Sequence, residues 1–277
     1  MIRSYFTFLA LAATLTAAAP AGNASIVGIN AAIRNKVMTR SSSDLALHPA
    51  VLRARVALSD QVQTANASVL QILLLDRSNF TVGSNARVTI DRFVYDPQRS
   101  ASAVGASVAK GAFRFISGRS IHNMPGKTAI NTPVASIGVR GTIFEGVVGP
   151  DAVRIAQREA GAAGGRIDRN SATLIVLRGP GATPTAPGGA IDVTANGNLV
   201  SLDRPGMALF IPGPNQNAIG PFNLSDSGLL ALHDLLRTTP DARGQLTKFD
   251  VEGNPVVDRT LEEVPSGPIV NITDGVR

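Results

Sequence analysis

The residues that could carry out chemistry are few and lie far apart in the sequence. The three histidines, His48, His122 and His233, fall in separate segments. None has the His-x-His, His-x3-His or His-Glu-x-x-His spacing of a zinc site. Each lies in a predicted loop or on a predicted surface helix, so we expect exposed side chains. The chain has no cysteine, which excludes disulfides, thiol chemistry and cysteine-bound metals.

The carboxylates also give little support for catalysis. Asp60 and Asp76 could meet in space, but both fall at predicted turns, where Asp is favoured because it accepts backbone hydrogen bonds. The sequence has no Gly-x-Ser-x-Gly elbow, and Gly126-Lys127-Thr128 has Ile121 where a phosphate-binding loop needs its first glycine. We therefore expect no enzyme activity, no catalytic residue, no metal and no cofactor.

Arg140 is the polar residue that most needs an explanation. It lies between Gly138 and Gly141 on a predicted core strand. An arginine in that position must point outwards or find a carboxylate or carbonyl partner. A structural ion pair or backbone clamp is favoured over a ligand contact, because the sequence identifies no second polar group converging on it.

The stretch from Thr132 to Gly146 surrounds Arg140. Its apolar residues recur at about every second position, which is typical of strands with one buried face: Val134, Ile137, Val139 and Ile143. Pro133 suits the first residue of a strand, and the glycines predict a bulge or a corner.

Short strands extend well beyond this stretch. Turn signals recur every 6–12 residues or so from Val51 to Ile211, as expected for a sandwich, jelly roll or irregular solenoid. Asn196-Gly197 predicts a tight hairpin, and Gly149-Pro150-Asp151 predicts another, with Val153 and Ile155 on its second strand.

Ser225 is positioned to cap an amphipathic helix at about 225–237. The predicted fold class is mainly β, with many short strands in a jelly-roll, sandwich-like or solenoid arrangement and one C-terminal amphipathic helix.

The domain organisation follows from changes in composition. Residues 1–24 contain Arg3, a short apolar run and small residues, the pattern of a cleaved signal peptide; an uncleaved anchor is the alternative. The composition predicts a strand and a flexible lead-in at residues 25–50 and the all-β domain at residues 51–212. For residues 213–277 it predicts a linker, the helix and a polar acidic tail. Residues 241–277 carry seven acids and four bases, although the whole chain has a net charge of +6.

The stretch Thr132–Phe144 also resembles a known family. It is similar to the "TP-apolar-A-x-I-x-V-R-G-T-x-F" signature of FecR domains, the periplasmic part of ferric-citrate-type sigma regulators. Leu58–Thr64 and Leu70–Ser78 resemble the upstream motifs of that family, with Ser59, Ala65 and Arg77 in place of its glycines. The resemblance covers about Val51 to Ile211 and implies an all-β fold without catalytic residues.

These features favour an exported, non-enzymatic FecR-domain protein of the bacterial cell envelope, either periplasmic or secreted. It is expected to bind an envelope protein or a polysaccharide, and not nucleic acid, because its basic residues are spaced singly. Two alternatives remain at this level. One is a membrane-anchored sensor with an uncleaved N-terminus. The other is a polysaccharide hydrolase in which Asp60, Asp76 and Asp91 converge on one groove.

Overall fold

The computed structural model describes residues 25–123, 127–159, 166–179 and 189–237, and the short strands at 248–249 and 255–256. The predicted signal peptide at 1–24 lies outside the described residues, as does most of the predicted acidic tail. In the described part of the chain, no helix is long and apolar enough to cross a membrane.

The chain forms mainly β-strands, named here in chain order. The first nine are β1 (Ile26–Arg34), β2 (Val37–Arg40), β3 (His48–Pro49), β4 (Arg55–Ala57), β5 (Gln61–Thr64), β6 (Val69–Leu74), β7 (Asn79–Val82), β8 (Arg87–Asp96) and β9 (Ala101–Ile116). The next eight are β10 (Thr128–Asn131), β11 (Ser136–Arg140), β12 (Ile143–Val148), β13 (Thr173–Gly179), β14 (Ala190–Ala195), β15 (Asn198–Leu202), β16 (Met207–Ile211) and β17 (Ile219–Asn223). The α-helices are α1 (Pro150–Ala156) and α2 (Asp226–Asp234), and Arg119–Asn123 forms a short 3-10 helix. Strand β18 (Lys248–Phe249) pairs with β19 (Pro255–Val256).

Strands β1 to β17 are connected by hydrogen bonds in one continuous network, which folds into two sheets. Sheet A has the order β4-β1-β6-β7-β9-β12-β13-β16-β17 and is antiparallel throughout. Sheet B has the order β3-β2-β5-β8-β9-β10-β11-β14-β15, in which only the β9–β10 pairing is parallel. Strand β9 belongs to both sheets and joins them.

Two glycines form the corners between the sheets. Strand β9 bends at Gly111, which has a φ of +82°, and a Cβ there would lie 2.2 Å from the Cα of Ala86. Gly141, with a φ of 66°, separates β11 in sheet B from β12 in sheet A. The stretch that the sequence showed as one bent strand is therefore two strands in different sheets. Glycine is favoured at both corners because a side chain is strained at positive φ.

The main core lies between the two sheets. Inward side chains from both sheets form one buried cluster, which includes Val62 and Ile137 from sheet B. At its centre are four phenylalanines from sheet A whose ring centroids lie 6.0–6.3 Å apart: Phe80, Phe113, Phe115 and Phe144. A shared buried core between two faces is the defining property of a sandwich. The prediction of a mainly β fold is confirmed, and its sandwich-like form is the one observed.

A second apolar cluster covers part of the outer face of sheet A. Helices α1 and α2 pack there against residues such as Val147, Leu174 and Phe210. The hydroxyl of Ser225 accepts a hydrogen bond from the Gly228 backbone N–H, so α2 begins with the expected cap. The predicted C-terminal helix is confirmed.

The predicted hairpin after Gly149 is wrong, because residues 150–156 form helix α1. Pro150 stands in the first turn, where its missing N–H costs nothing. Val153 and Ile155 are both buried, with Ala152 and Ala156, against sheet A. Their two-residue spacing suggested a strand, but the alanines complete a helical apolar face.

Two segments placed outside the domain by the sequence contribute strands to the sheets. In the predicted lead-in, β1 pairs with β4 and β6, and β2 pairs with β5. Strand β17, in the predicted linker, pairs with β16. The boundaries at 50 and 212 stay predictions.

Candidate interaction face

Arg140 has a carboxylate partner on the outer face of sheet B. Its Nη2 donates to Asp192 Oδ1 at 3.0 Å, and the two side chains are 37% and 32% exposed. Asp192 Oδ1 also accepts a hydrogen bond from the Ser201 hydroxyl at 2.5 Å. Arg140 Nε is buried and has no hydrogen-bond partner among the described residues. The arginine therefore forms the kind of ion pair that the sequence favoured.

A row of uncharged polar side chains crosses the same face, at right angles to the strands. Directly paired residues of neighbouring strands point to the same side of a sheet. The register places six such residues side by side, which we call the polar row: Gln61, Thr89, Ser107, Asn131, Ser136 and Thr194. All six are partly or fully exposed. At about 4.8 Å between strands, five intervals give the polar row a length of about 24 Å.

Hydrogen bonds hold parts of the polar row in place. Ser136 Oγ donates to Asn131 Oδ1 at 2.8 Å. At one end of the row, Arg40 Nη2 donates to Gln61 Oε1 at 3.1 Å. These contacts orient amide and hydroxyl groups that still face solvent, so less side-chain entropy would be lost when a partner binds.

Beside the polar row lies a floor of small residues. Gly105 on β9 pairs with Ala129 on β10, which pairs with Gly138 on β11. Arg92 pairs with Gly105 at one end of this floor, and Asp192 pairs with Gly138 at the other. The polar row and the small-residue floor together form a shallow surface across the middle of sheet B.

The outward-facing strand residues of sheet B carry more positive than negative charge. Among these residues in the described structure, five are basic: Arg40, Arg87, Arg92, Lys110 and Arg140. Three are acidic: Asp91, Asp96 and Asp192. Together they give the face a net charge of +2. A positive surface of this kind favours anionic partners at moderate ionic strength.

The histidines do not approach this face as a group. His48 Nε2 lies 2.8 Å from Asp44 Oδ2, and both side chains are more than half exposed. The Ala46 backbone N–H and then His48 hold the pKa of Asp44 below its ordinary value. His233 is exposed on α2, whereas the side chain of His122 lies outside the described set. Among the described residues, no three His, Cys, Asp or Glu side chains form a group that could hold a metal ion.

The three candidate carboxylates lie on separate elements. Asp60 is in the turn between β4 and β5, where its Oδ2 accepts from the Ala57 backbone N–H at 2.8 Å. Asp76 is buried in the turn between β6 and β7 and accepts from Ser78. Asp91 lies on β8 and accepts from the Ser107 hydroxyl. These local bonds count against a hydrolase in which the three carboxylates share one groove.

A buried ion-pair cluster on sheet A was not apparent from the sequence. Glu145 is 1% exposed, and Arg114 Nη2 and Nε lie 2.6 and 2.7 Å from its Oε1. Arg178 Nε lies 3.5 Å from Oε2 without the geometry of a hydrogen bond. The three residues lie on β9, β12 and β13, and only the register of these strands brings them together.

One comparison with known proteins, the family model, supports the family resemblance over part of the chain. Residues 60–163 match the family model described as FecR protein. No curated protein matches the chain. Among solved structures, the chain is similar to two crystal structures, at 2.50 and 1.65 Å resolution, of a candidate anti-sigma factor from Parabacteroides distasonis. Each has 12% identity and a TM-score of 0.39, and the match covers 59% of this chain and 60% of that chain.

Proposed function

Since residues 60–163 match the FecR family model, we propose that the protein is an exported, non-enzymatic binding module of the bacterial cell envelope. Its recognition surface is the outer face of sheet B. The observation that carries this proposal is the polar row, which presents six amide and hydroxyl side chains on six neighbouring strands.

The chemistry of this face favours an extended, anionic polysaccharide as the partner. Sugar hydroxyls can donate to and accept from amide and hydroxyl groups along the polar row. The small residues Ala129 and Gly138 let a polymer chain approach the backbone closely. The net charge of +2 adds attraction for carboxylate-bearing or phosphate-bearing sugars, which salt would weaken.

Binding to envelope material tests this proposal. The experiment compares the protein that begins at Ser25 with its Asn131→Ala/Ser136→Ala/Thr194→Ala variant in sedimentation with purified anionic envelope polysaccharide. We expect the wild type to co-sediment at low salt and the triple variant to remain in solution. A Gln71→Ala/Asn223→Ala variant, with changes on sheet A, is the control and should bind like the wild type. Equal binding by all three proteins would contradict the proposal, as would no binding by the wild type.

A sensing role in the envelope is a second candidate, and the FecR match favours it. In that case residues 1–24 would remain attached as a membrane anchor, and the sheet B face would bind a protein. Mass spectrometry of the mature protein separates the two candidates. An N-terminus near Ser25 supports the exported module, and an N-terminus at Met1 supports the anchored sensor.

A further inference from the structure

A cavity of about 140 Å³ lies at one edge of the sandwich. It opens between the two sheets near the edge strands β4 and β3, with β1 and β4 on one side and β2, β3 and β5 on the other. Val51, Val56 and Val62 form part of its apolar wall. One water molecule needs about 10–15 Å³ of cavity volume. The cavity therefore has room for a small organic group.

Two of the residues that line this cavity each carry a buried side-chain oxygen with no hydrogen-bond partner among the described residues. These oxygens are Asn30 Oδ1 and Asp60 Oδ1. Asn30 is only 3% exposed as a whole. Buried polar atoms are normally paired, because leaving one unpaired costs about 1–3 kcal/mol.

The surrounding contacts keep both oxygens available. Asn30 Nδ2 donates to the Val51 carbonyl at 2.9 Å, which fixes the amide with its oxygen free. The Asn30 backbone is held too, since its N–H donates to Ala54 and its carbonyl accepts from Arg53. Asp60 uses Oδ2 for the Ala57 N–H and leaves Oδ1 free. Two residues of the cavity wall therefore each carry an unpaired acceptor, one of them part of a carboxylate.

From this arrangement we infer that the cavity binds a primary ammonium group. An ammonium carries a positive charge and three N–H donors, so it can donate to both oxygens and neutralise the carboxylate. The apolar wall suits a short alkyl chain on the same nitrogen. Arg55 also lines the cavity and is exposed, so it could contact the carboxylate of a small amino acid bound in this way.

Nuclear magnetic resonance titration of the whole chain tests the inference, with methylamine hydrochloride as the probe. We expect saturable shifts of the Asn30, Ala57 and Asp60 backbone amides. Tetramethylammonium chloride has the same charge but no N–H donor and should leave these signals unchanged. Glycine replaces methylamine in a parallel titration, and tighter binding of glycine would assign its carboxylate to Arg55. Equal or weaker binding would leave the ammonium site intact and remove the contact with Arg55.

The matched variants are Asp60→Asn and Asp96→Asn. Asn at 60 can still accept from Ala57 but loses the charge, so methylamine should bind at least about tenfold more weakly. Asp96 caps another turn, accepting from Gln98 and Arg99, and its variant should bind like the wild type.

Unchanged binding by Asp60→Asn would overturn the inference. Absence of shifts with methylamine would also overturn it and leave a water-filled cavity. Glucose is the remaining probe, and shifts with glucose alone would assign the site to hydroxyl groups instead. None of these results depends on the polar row, so that the inference and the proposed function can fail separately.

Discussion

Arg140 on β11 and Asp192 on β14 are diagonal neighbours across an antiparallel pair. Gly138 is the residue directly opposite Asp192, and Arg140 itself is opposite Ala190. The guanidinium thus reaches along the sheet, past the small Ala190 position, to the carboxylate 3.0 Å away. The contact joins neighbouring strands of the proposed recognition face.

The first prediction concerns the strength of this contact. Both side chains are about one-third exposed, so Arg140→Ala should lower the free energy of unfolding by less than about 1 kcal/mol. Urea denaturation measures the change. The Arg154→Ala variant, which removes a comparable pair with Asp151 on α1, is the control. A loss of several kcal/mol for Arg140→Ala alone would show that the arginine has a further structural role.

The second prediction concerns the buried carboxylate of Glu145. Removing one partner from a buried ion pair leaves the other charge uncompensated, which costs about 3–5 kcal/mol. Because Arg114 and Arg178 are 22% and 31% exposed, we expect Glu145→Ala to lower the free energy of unfolding by an amount near the lower end of that range. Glu145→Gln keeps an acceptor for Arg114, so its free energy of unfolding should fall by less. Equal losses for the two variants, measured by denaturation, would argue against an electrostatic role.

The third prediction tests the corner at Gly111. Gly111 and Gly206 have nearly the same φ, +82° and +86°, but a Cβ at Gly206 would have nothing within 4 Å. Gly206→Ala should therefore cost only backbone strain, about 1–2 kcal/mol. Gly111→Ala adds the clash with Ala86, for a further cost of about 1–3 kcal/mol. Similar unfolding energies for the two variants would mean that the corner relaxes without cost.

The fourth prediction concerns pH. The Ser171 hydroxyl and then the Asn170 backbone N–H hold the pKa of Asp168 below its ordinary value of 3.8. A carboxyl whose pKa is lower in the folded state stabilises the fold above its unfolded pKa. That contribution is lost as the pH falls through the folded value. Carbon-13 titration of Asp168 should show a midpoint below 3.8, and Asp168→Asn should remove this part of the acid dependence. A midpoint at or above 3.8 would contradict the contacts described for this loop.

The local features of the fold could be predicted from the sequence. Asn196-Gly197 predicts the β14–β15 hairpin, in which both residues have positive φ. Ser225 predicts the start of α2. Such features depend on residues close together in the chain, whose preferences act locally.

The features that depend on register could not be predicted. The polar row joins residues that are up to 133 positions apart, from Gln61 to Thr194, and no local pattern marks Asn131 as a neighbour of Ser107. Asn30 and Asp60 likewise line one cavity only because β1 in sheet A lies opposite the β4–β5 turn that leads into sheet B. Helix α1 was missed for a different reason: seven residues are too few for helical periodicity to be distinguished from alternation.

The central claim is that the polar row on sheet B binds an envelope polysaccharide. Its most direct test is isothermal titration calorimetry at low and at high salt. Purified anionic envelope polysaccharide is titrated into the wild type and into the Asn131→Ala/Ser136→Ala/Thr194→Ala variant. The proposal predicts measurable binding by the wild type that weakens with salt, and a loss of at least about tenfold in the folded triple variant. Wild-type affinity retained by that variant would contradict it.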